Sequence, residues 1–125
     1  EDITVFCYGL MVNYCLQAAD ILANDGIDAE VVDLRTVYPL DKATIIERSQ
    51  RTGKVLLVTE DNLEGSIMSE VSAIIAENCL FDLDAPIMRL AAPDVPSMPF
   101  SPTLENEIMM NPEKIQDKMR ELAQF

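Results

Sequence analysis

Short apolar segments rich in β-branched residues alternate with stretches of helical periodicity along the whole of this chain, and that alternation leaves few folds open. Ile3 to Tyr8 has the composition of a strand, and Gly9 ends it. From Val12 to Asn24 the apolar residues Val12, Leu16, Ala19, Leu22 and Ala23 recur at helical spacing, and Gly26 suits a helix C-cap. Ala29 to Leu34 is a second strand. Asp41 then stands where an N-cap belongs, with Leu40 and Ile45 spaced as a hydrophobic staple. The helix it opens is predicted to run to about Arg51, before Gly53. Lys54 to Thr59 is a third strand, nearly all apolar, as expected of a strand covered on both faces. Gly65-Ser66 opens a third helix with Met68, Val71, Ile74 and Ile75 inward, and Ile87 to Ala91 is a fourth strand. A last helix starts at Asn111 as N-cap with Pro112 at its first position, and buries Ile115, Met119 and Leu122. Strands separated by helices imply an α/β fold: a parallel sheet with helices on both faces.

At 125 residues the chain holds one domain, residues 1–125, and its apolar half is enough for a real core. No apolar run approaches the roughly 20 residues of a membrane span, and no signal peptide is visible. Cys7, Cys15 and Cys79 are odd in number and widely spaced, so they fit neither a disulfide framework nor a zinc pattern. Buried free thiols in a cytoplasmic protein are expected instead. The net charge of −13 argues against nucleic acid and favours basic partners. The chain has no histidine, which removes every Ser-His, Cys-His and His-metal arrangement.

The turn after the first strand, Gly9-Leu10-Met11-Val12-Asn13, carries no G-x-G-x-x-G, and no phosphate loop occurs elsewhere. A receiver-type phosphate acceptor is only half matched by Thr59-Glu60-Asp61, because the first strand ends in Cys7-Tyr8-Gly9 without acids. Glu60, Asp61 and Glu64 are not spaced as a calcium loop, and their better role is surface charge at a helix N-terminus capped by Ser66. Pro93, Pro96, Pro99 and Pro102 mark a rigid segment, with Met98-Pro99-Phe100 packing on the domain or on a neighbouring subunit. Met68, Met109, Met110 and Met119 are core fillers by default, with one of the adjacent pair Met109 and Met110 free to face a partner.

The run Asp33-Leu34-Arg35-Thr36-Val37-Tyr38-Pro39-Leu40-Asp41, with Glu60 to Glu70, Leu80 to Pro86 and Ala92-Pro93-Asp94, resembles the carboxy-terminal domain of the beta subunits of thiamine-diphosphate 2-oxo acid dehydrogenases. Tyr38, Leu80-Phe81-Asp82-Leu83-Asp84 and Gly65-Ser66-Ile67-Met68-Ser69-Glu70 are similar to the branched-chain (2-oxoisovalerate) members more than to the pyruvate ones. Asn13 departs from the family, where a histidine is common. The resemblance implies a transketolase C-terminal-type sandwich of three layers, α/β/α, with its parallel strands in the order second, first, third, fourth. It also implies an antiparallel edge strand beside Ala29 to Leu34, formed by residues before Glu1. The chain would be a domain of a longer beta subunit, with catalytic, cofactor-binding and metal residues all elsewhere. Thiamine diphosphate and magnesium would belong to the parent α2β2 enzyme, which is cytoplasmic in bacteria and in the mitochondrial matrix of eukaryotes. That parent acylates the lipoyl group of an acyltransferase in branched-chain amino acid degradation. The alternatives are the corresponding domain of a pyruvate or acetoin dehydrogenase beta subunit and an independent flavodoxin-like signalling or ligand module.

The partners so implied are the alpha subunit, a second beta subunit met across a two-fold axis, and the small basic subunit-binding domain of the acyltransferase; the isolated domain would self-associate. Asp82 and Asp84, before Ala85-Pro86, and Phe125, with its ring and terminal carboxylate, are the expected contacts for the basic domain.

Overall fold

The computed structural model describes residues 2–93, 101–103 and 109–125. Its four strands form one parallel sheet in the order β2-β1-β3-β4, as expected. They are β1 (Ile3–Cys7), β2 (Ala29–Asp33), β3 (Val55–Asn62) and β4 (Met88–Ala92). Between and after them come α1 (Met11–Asn24), α2 (Lys42–Thr52), α3 (Ile67–Cys79) and α4 (Pro112–Ala123). Val5 pairs with Val31 on one side and Leu56 on the other, so β1 is a central strand and every residue of it is buried. β2 forms one edge of this sheet and is only half-buried throughout.

Alternation along the strands feeds two cores. Ile3, Val5, Cys7, Leu56 and Val58 pack with α1 and α4. Phe6, Val55 and Leu57 pack with α2 and α3. The buried Thr4 stays compatible with this interior because its hydroxyl meets the Arg48 carbonyl at 3.2 Å and the Thr52 hydroxyl at 2.9 Å. All three cysteines are buried and free.

The helix ends follow their sequence signals in most places. Asp41 accepts from the Thr44 N–H at 3.1 Å and from its hydroxyl at 2.7 Å, and these bonds from Thr44 lower the Asp41 pKa. Leu40 and Ile45 share one core. Asn111 accepts from the Lys114 N–H at 2.8 Å, with Pro112 in the first turn of α4. Beyond α1, Gly26 (φ +80) brings the Ile27 N–H back to the Leu22 carbonyl at 3.1 Å, a Schellman closure.

Three expectations need correction. The buried stripe of α1 is Met11, Cys15, Ala18 and Leu22, while Leu16 is 48% exposed. Apolar residues occur all round this helix, and the small Cys15 and Ala18 give the face that can approach the sheet most closely. Ser66 occupies the N-cap position of α3 but makes no side-chain capping bond. β3 continues past Thr59 to Asn62, pairing with β4 again at Asn62–Ala92 after an irregularity. Glu60 and Asp61 therefore belong to a strand end, not to a helix N-terminus. The readings placed on Asp94, Pro96, Met98, Pro99 and Phe100 lie outside the described residues.

Candidate partner-binding surface

Helices that return between parallel strands all end where the strands begin. The connections fix this: α2 ends at Thr52 and β3 begins at Val55, and α1 ends at Asn24 shortly before β2. The last helix joins the same end. Lys54 Nζ, at the start of β3, donates to the Ala123 carbonyl at 3.2 Å, and Arg120 pairs with Asp25 at 2.6 Å. Each helix carries about half a negative charge at its C-terminus, so this end of the molecule gathers the negative ends of four helices.

Asp82 and Asp84 sit in this region, on the turn that joins α3 to β4. A single 3-10 turn, Leu80–Asp82, follows α3. Asp82 Oδ2 accepts from Gln50 Nε2 at 3.1 Å, in the last turn of α2. The Asp84 N–H donates to the Gly53 carbonyl at 2.7 Å, which ties the turn to the C-terminus of α2. The contact is close enough to exclude a side chain at Gly53. A Cβ there would stand 2.5 Å from Asp84 Oδ2 and 2.8 Å from the Asp82 carbonyl oxygen. The charge of Asp82 is felt beneath the turn, where burial first, and Asp82 second, push the Cys79 thiol pKa up. Phe125 is 62% exposed, its N–H bonded to Leu122 at 3.2 Å. The three residues chosen from sequence thus share one end of the domain, linked through Gly53, Lys54 and Ala123. They do not share one side: Asp82 and Asp84 flank α2 and α3, whereas Phe125 follows α4.

Sequence reasoning missed the side chain that stands out most at this end. Phe81 is 99% exposed and its neighbour Leu80 is 59% exposed. The signal available was the break in the α3 stripe: Ile75 and Cys79 complete the buried face, and the next two apolar residues fall off it. Leu80 lines a shallow groove of about 460 Å³ with Leu83, Asp84, Ala85, Pro86 and Ile87.

The opposite end, where the strands finish, holds polar groups that satisfy one another. Tyr8 Oη bonds to Thr59 Oγ1 and to Asp61 Oδ2, each at 2.9 Å. Burial raises the Tyr8 phenol pKa; the Thr59 hydrogen bond opposes this and Asp61 adds to it. Arg35, with φ +62, pairs with Asp33 at 3.1 Å in a groove of about 390 Å³ that also includes Asp41 and Thr44. Glu60, Asp61 and Glu64 do not converge, and among the described residues no three Cys, Asp or Glu side chains are grouped to hold a metal ion.

Comparison with known proteins agrees with this architecture. The chain is 67% identical over all 125 residues to the 2-oxoisovalerate dehydrogenase subunit beta of Bacillus subtilis (strain 168), of which it spans 38%. It is 41% identical over 124 residues, 99% of this chain, to the pyruvate dehydrogenase E1 component subunit beta of the same organism, again spanning 38% of that protein. The chain therefore covers well under half the length of these relatives. A solved split-gene transketolase, an inactive beta4 tetramer, superposes with a TM-score of 0.85 at 24% identity, over 98% of this chain and 39% of that one; at that identity it speaks for the fold alone. Residues 1–115 match the family described as transketolase, C-terminal domain, and the chain belongs to that family.

Proposed function

We propose that this chain is the assembly and partner-binding domain of the beta subunit of a branched-chain 2-oxo acid dehydrogenase. The observation that carries this is the 67% identity along the whole chain to a 2-oxoisovalerate dehydrogenase subunit beta. The pyruvate relative stands much further off at 41%, which argues against a pyruvate parent. In this reading the parent is a cytoplasmic oxidoreductase that decarboxylates 2-oxoisovalerate-type acids and passes the acyl group to a lipoyl carrier. The alpha subunit and a second beta subunit complete its α2β2 assembly.

Thiamine diphosphate and magnesium would be held outside this domain. The residues described do not suit them: no acidic side chains are grouped for an ion. The turn after β1 presents Leu10 and Met11, with no run of glycine amides for a diphosphate. What the domain offers instead is a negative end. Asp82 and Asp84 lie at the C-terminus of α2, and Phe125 follows α4 at the same end. A small basic subunit-binding domain of the acyltransferase fits that field, which speeds encounter and sets orientation.

Two measurements test the reading. The full-length beta subunit, assembled with its alpha subunit, should show its highest kcat/KM with 2-oxoisovalerate among 2-oxoisovalerate, pyruvate and acetoin; preference for either of the others would overturn the assignment. Calorimetry of the 125-residue chain with thiamine diphosphate and magnesium should give no heat of binding, and micromolar affinity would place the cofactor in this domain after all.

A further inference from the structure

The turn between α3 and β4 carries apolar side chains that the fold itself does not use. Phe81 is 99% exposed and Leu80 59% exposed. A single exposed apolar side chain is ordinary, and Tyr38 is nearly as bare; this turn has two adjacent exposed apolar residues next to further apolar side chains. Leu80 lines a shallow groove of about 460 Å³ together with Leu83, Asp84, Ala85, Pro86 and Ile87, and Phe81 follows Leu80 in the chain. Around this apolar spot carboxylates predominate, and the basic residue in the last turn of α2, Arg51, lies within ion-pair distance of Glu30. Asp82 and Asp84 flank it, Glu77 is exposed one turn earlier, and α2 and α3 both end against it.

We infer that Phe81, Leu80 and the groove beside them form the apolar anchor of the partner site. They would receive an aliphatic side chain from a small basic protein whose lysines or arginines meet Asp82 and Asp84. This rests on the partner reading above and deepens it, because it divides the work of the surface in two. The carboxylates and helix ends steer a cationic partner and set the on-rate. The apolar contact, once dry, holds the complex and sets the off-rate. Once a partner covers it, a large apolar side chain ringed by polar contacts that exclude water is the kind of residue that carries a large share of binding energy. A second copy of this chain is a poor occupant. A two-fold contact through this turn would bring Asp82 and Asp84 against their own counterparts between molecules of net charge −13.

The test uses the full-length beta subunit assembled in its enzyme and the purified basic subunit-binding domain of the acyltransferase. The dissociation constant is measured across a range of salt for the unmodified enzyme and for Phe81→Ala, Phe81→Leu and Asp84→Asn. Phe81→Ala should weaken binding by about tenfold or more with its salt dependence unchanged. Phe81→Leu should recover most of that loss, and Asp84→Asn should flatten the salt dependence. Unfolding of the two Phe81 variants of the 125-residue chain should match that of the unmodified chain, since the Phe81 ring is exposed there. Phe81→Ala binding within about twofold of the parent, with salt dependence intact, would overturn the anchor and leave the partner reading standing. No binding by the unmodified enzyme at low salt would remove the partner reading, and the anchor with it. Self-association that Phe81→Ala abolishes in the absence of partner would overturn the anchor in favour of a second copy.

Discussion

Replacing Gly53 by alanine should destabilise the domain more than the same change at Gly26, for a reason visible in the geometry. Both glycines follow a helix and both have positive φ, +68 at Gly53 and +80 at Gly26. An alanine in that region costs roughly 1–2 kcal/mol at either site. What separates them is the space beyond. A Cβ at Gly26 meets nothing within 4 Å, whereas at Gly53 it meets Asp84 Oδ2 at 2.5 Å and the Asp82 carbonyl oxygen at 2.8 Å. The carboxylate can swing away, but the carbonyl is main chain and moves only with the whole turn. That adds about 1–3 kcal/mol, the usual range for overpacking. The chain has no tryptophan, so urea unfolding followed by circular dichroism is the suitable assay. Gly53→Ala should lose at least about 1 kcal/mol more than Gly26→Ala. Adding Asp84→Ala to Gly53→Ala should recover only part of the difference, because the carbonyl contact remains. Equal losses at the two glycines would show that the turn is not held against α2 as described.

Phe6 is among the largest fully buried side chains, so Phe6→Ala should cost about 3–5 kcal/mol in the same assay. Asp84→Asn should stabilise the isolated chain by about 0.3–1 kcal/mol, since a negative charge at a helix C-terminus is unfavourable, and a lower midpoint would count against that placement. A hydrogen bond with Cys7 first, and burial second, push the Cys15 thiol up, and all three cysteines are buried; a thiol reagent at neutral pH should label none of them until denaturant is added. The folded-state pKa of Tyr8 is raised, first by burial. Its contribution to stability is thus complete below about pH 10, the unfolded value, and is lost as pH rises through the folded value. Tyr8→Phe should make the alkaline fall in stability shallower, as followed by urea midpoints at rising pH.

Much of the fold was legible because its strands obey a simple rule. A parallel sheet covered on both faces reads as unbroken apolar runs, and β1 and the first half of β3 do so. Caps at Asp41 and Asn111 were equally plain, since their side chains act on a backbone N–H three residues away. The rotation of α1 was not legible. Its stripe was ambiguous between Leu16 and Cys15, and the sheet decided it. The end of β3 was hidden as well, because Glu60 and Asp61 look like turn residues; the Tyr8–Asp61 bond and the renewed pairing with β4 at Asn62 keep the strand going past them. At the candidate surface, Asp82, Asp84 and Phe125 came from a resemblance and from charge. That they lie at one end with four helix C-termini depends on topology, and the exposure of Phe81 depends on where α3 stops.

The placement of Asp82 and Asp84 is electrically unfavourable for the domain alone. The cations near this end are used elsewhere: Lys54 on the Ala123 carbonyl, Arg120 on Asp25, Arg48 and Arg51 on Glu30. Among the described residues, none of the ion pairs involves Asp82 or Asp84. A surface turn under no other constraint would relax away from such a field, because exposed charges at a helix end are worth only about 0.3–1 kcal/mol and loops adjust cheaply. This turn is pinned instead. The Asp84 N–H bond to Gly53 at 2.7 Å and the tight packing over that glycine fix the backbone on both sides of Asp84. Two carboxylates carried on a pinned backbone where the domain's own dipoles oppose them, beside an exposed apolar ring, cost stability in isolation. On the proposed reading, that cost would be recovered when a cationic partner with an apolar contact of its own occupied the site, and the same feature would weaken the free domain and strengthen the complex.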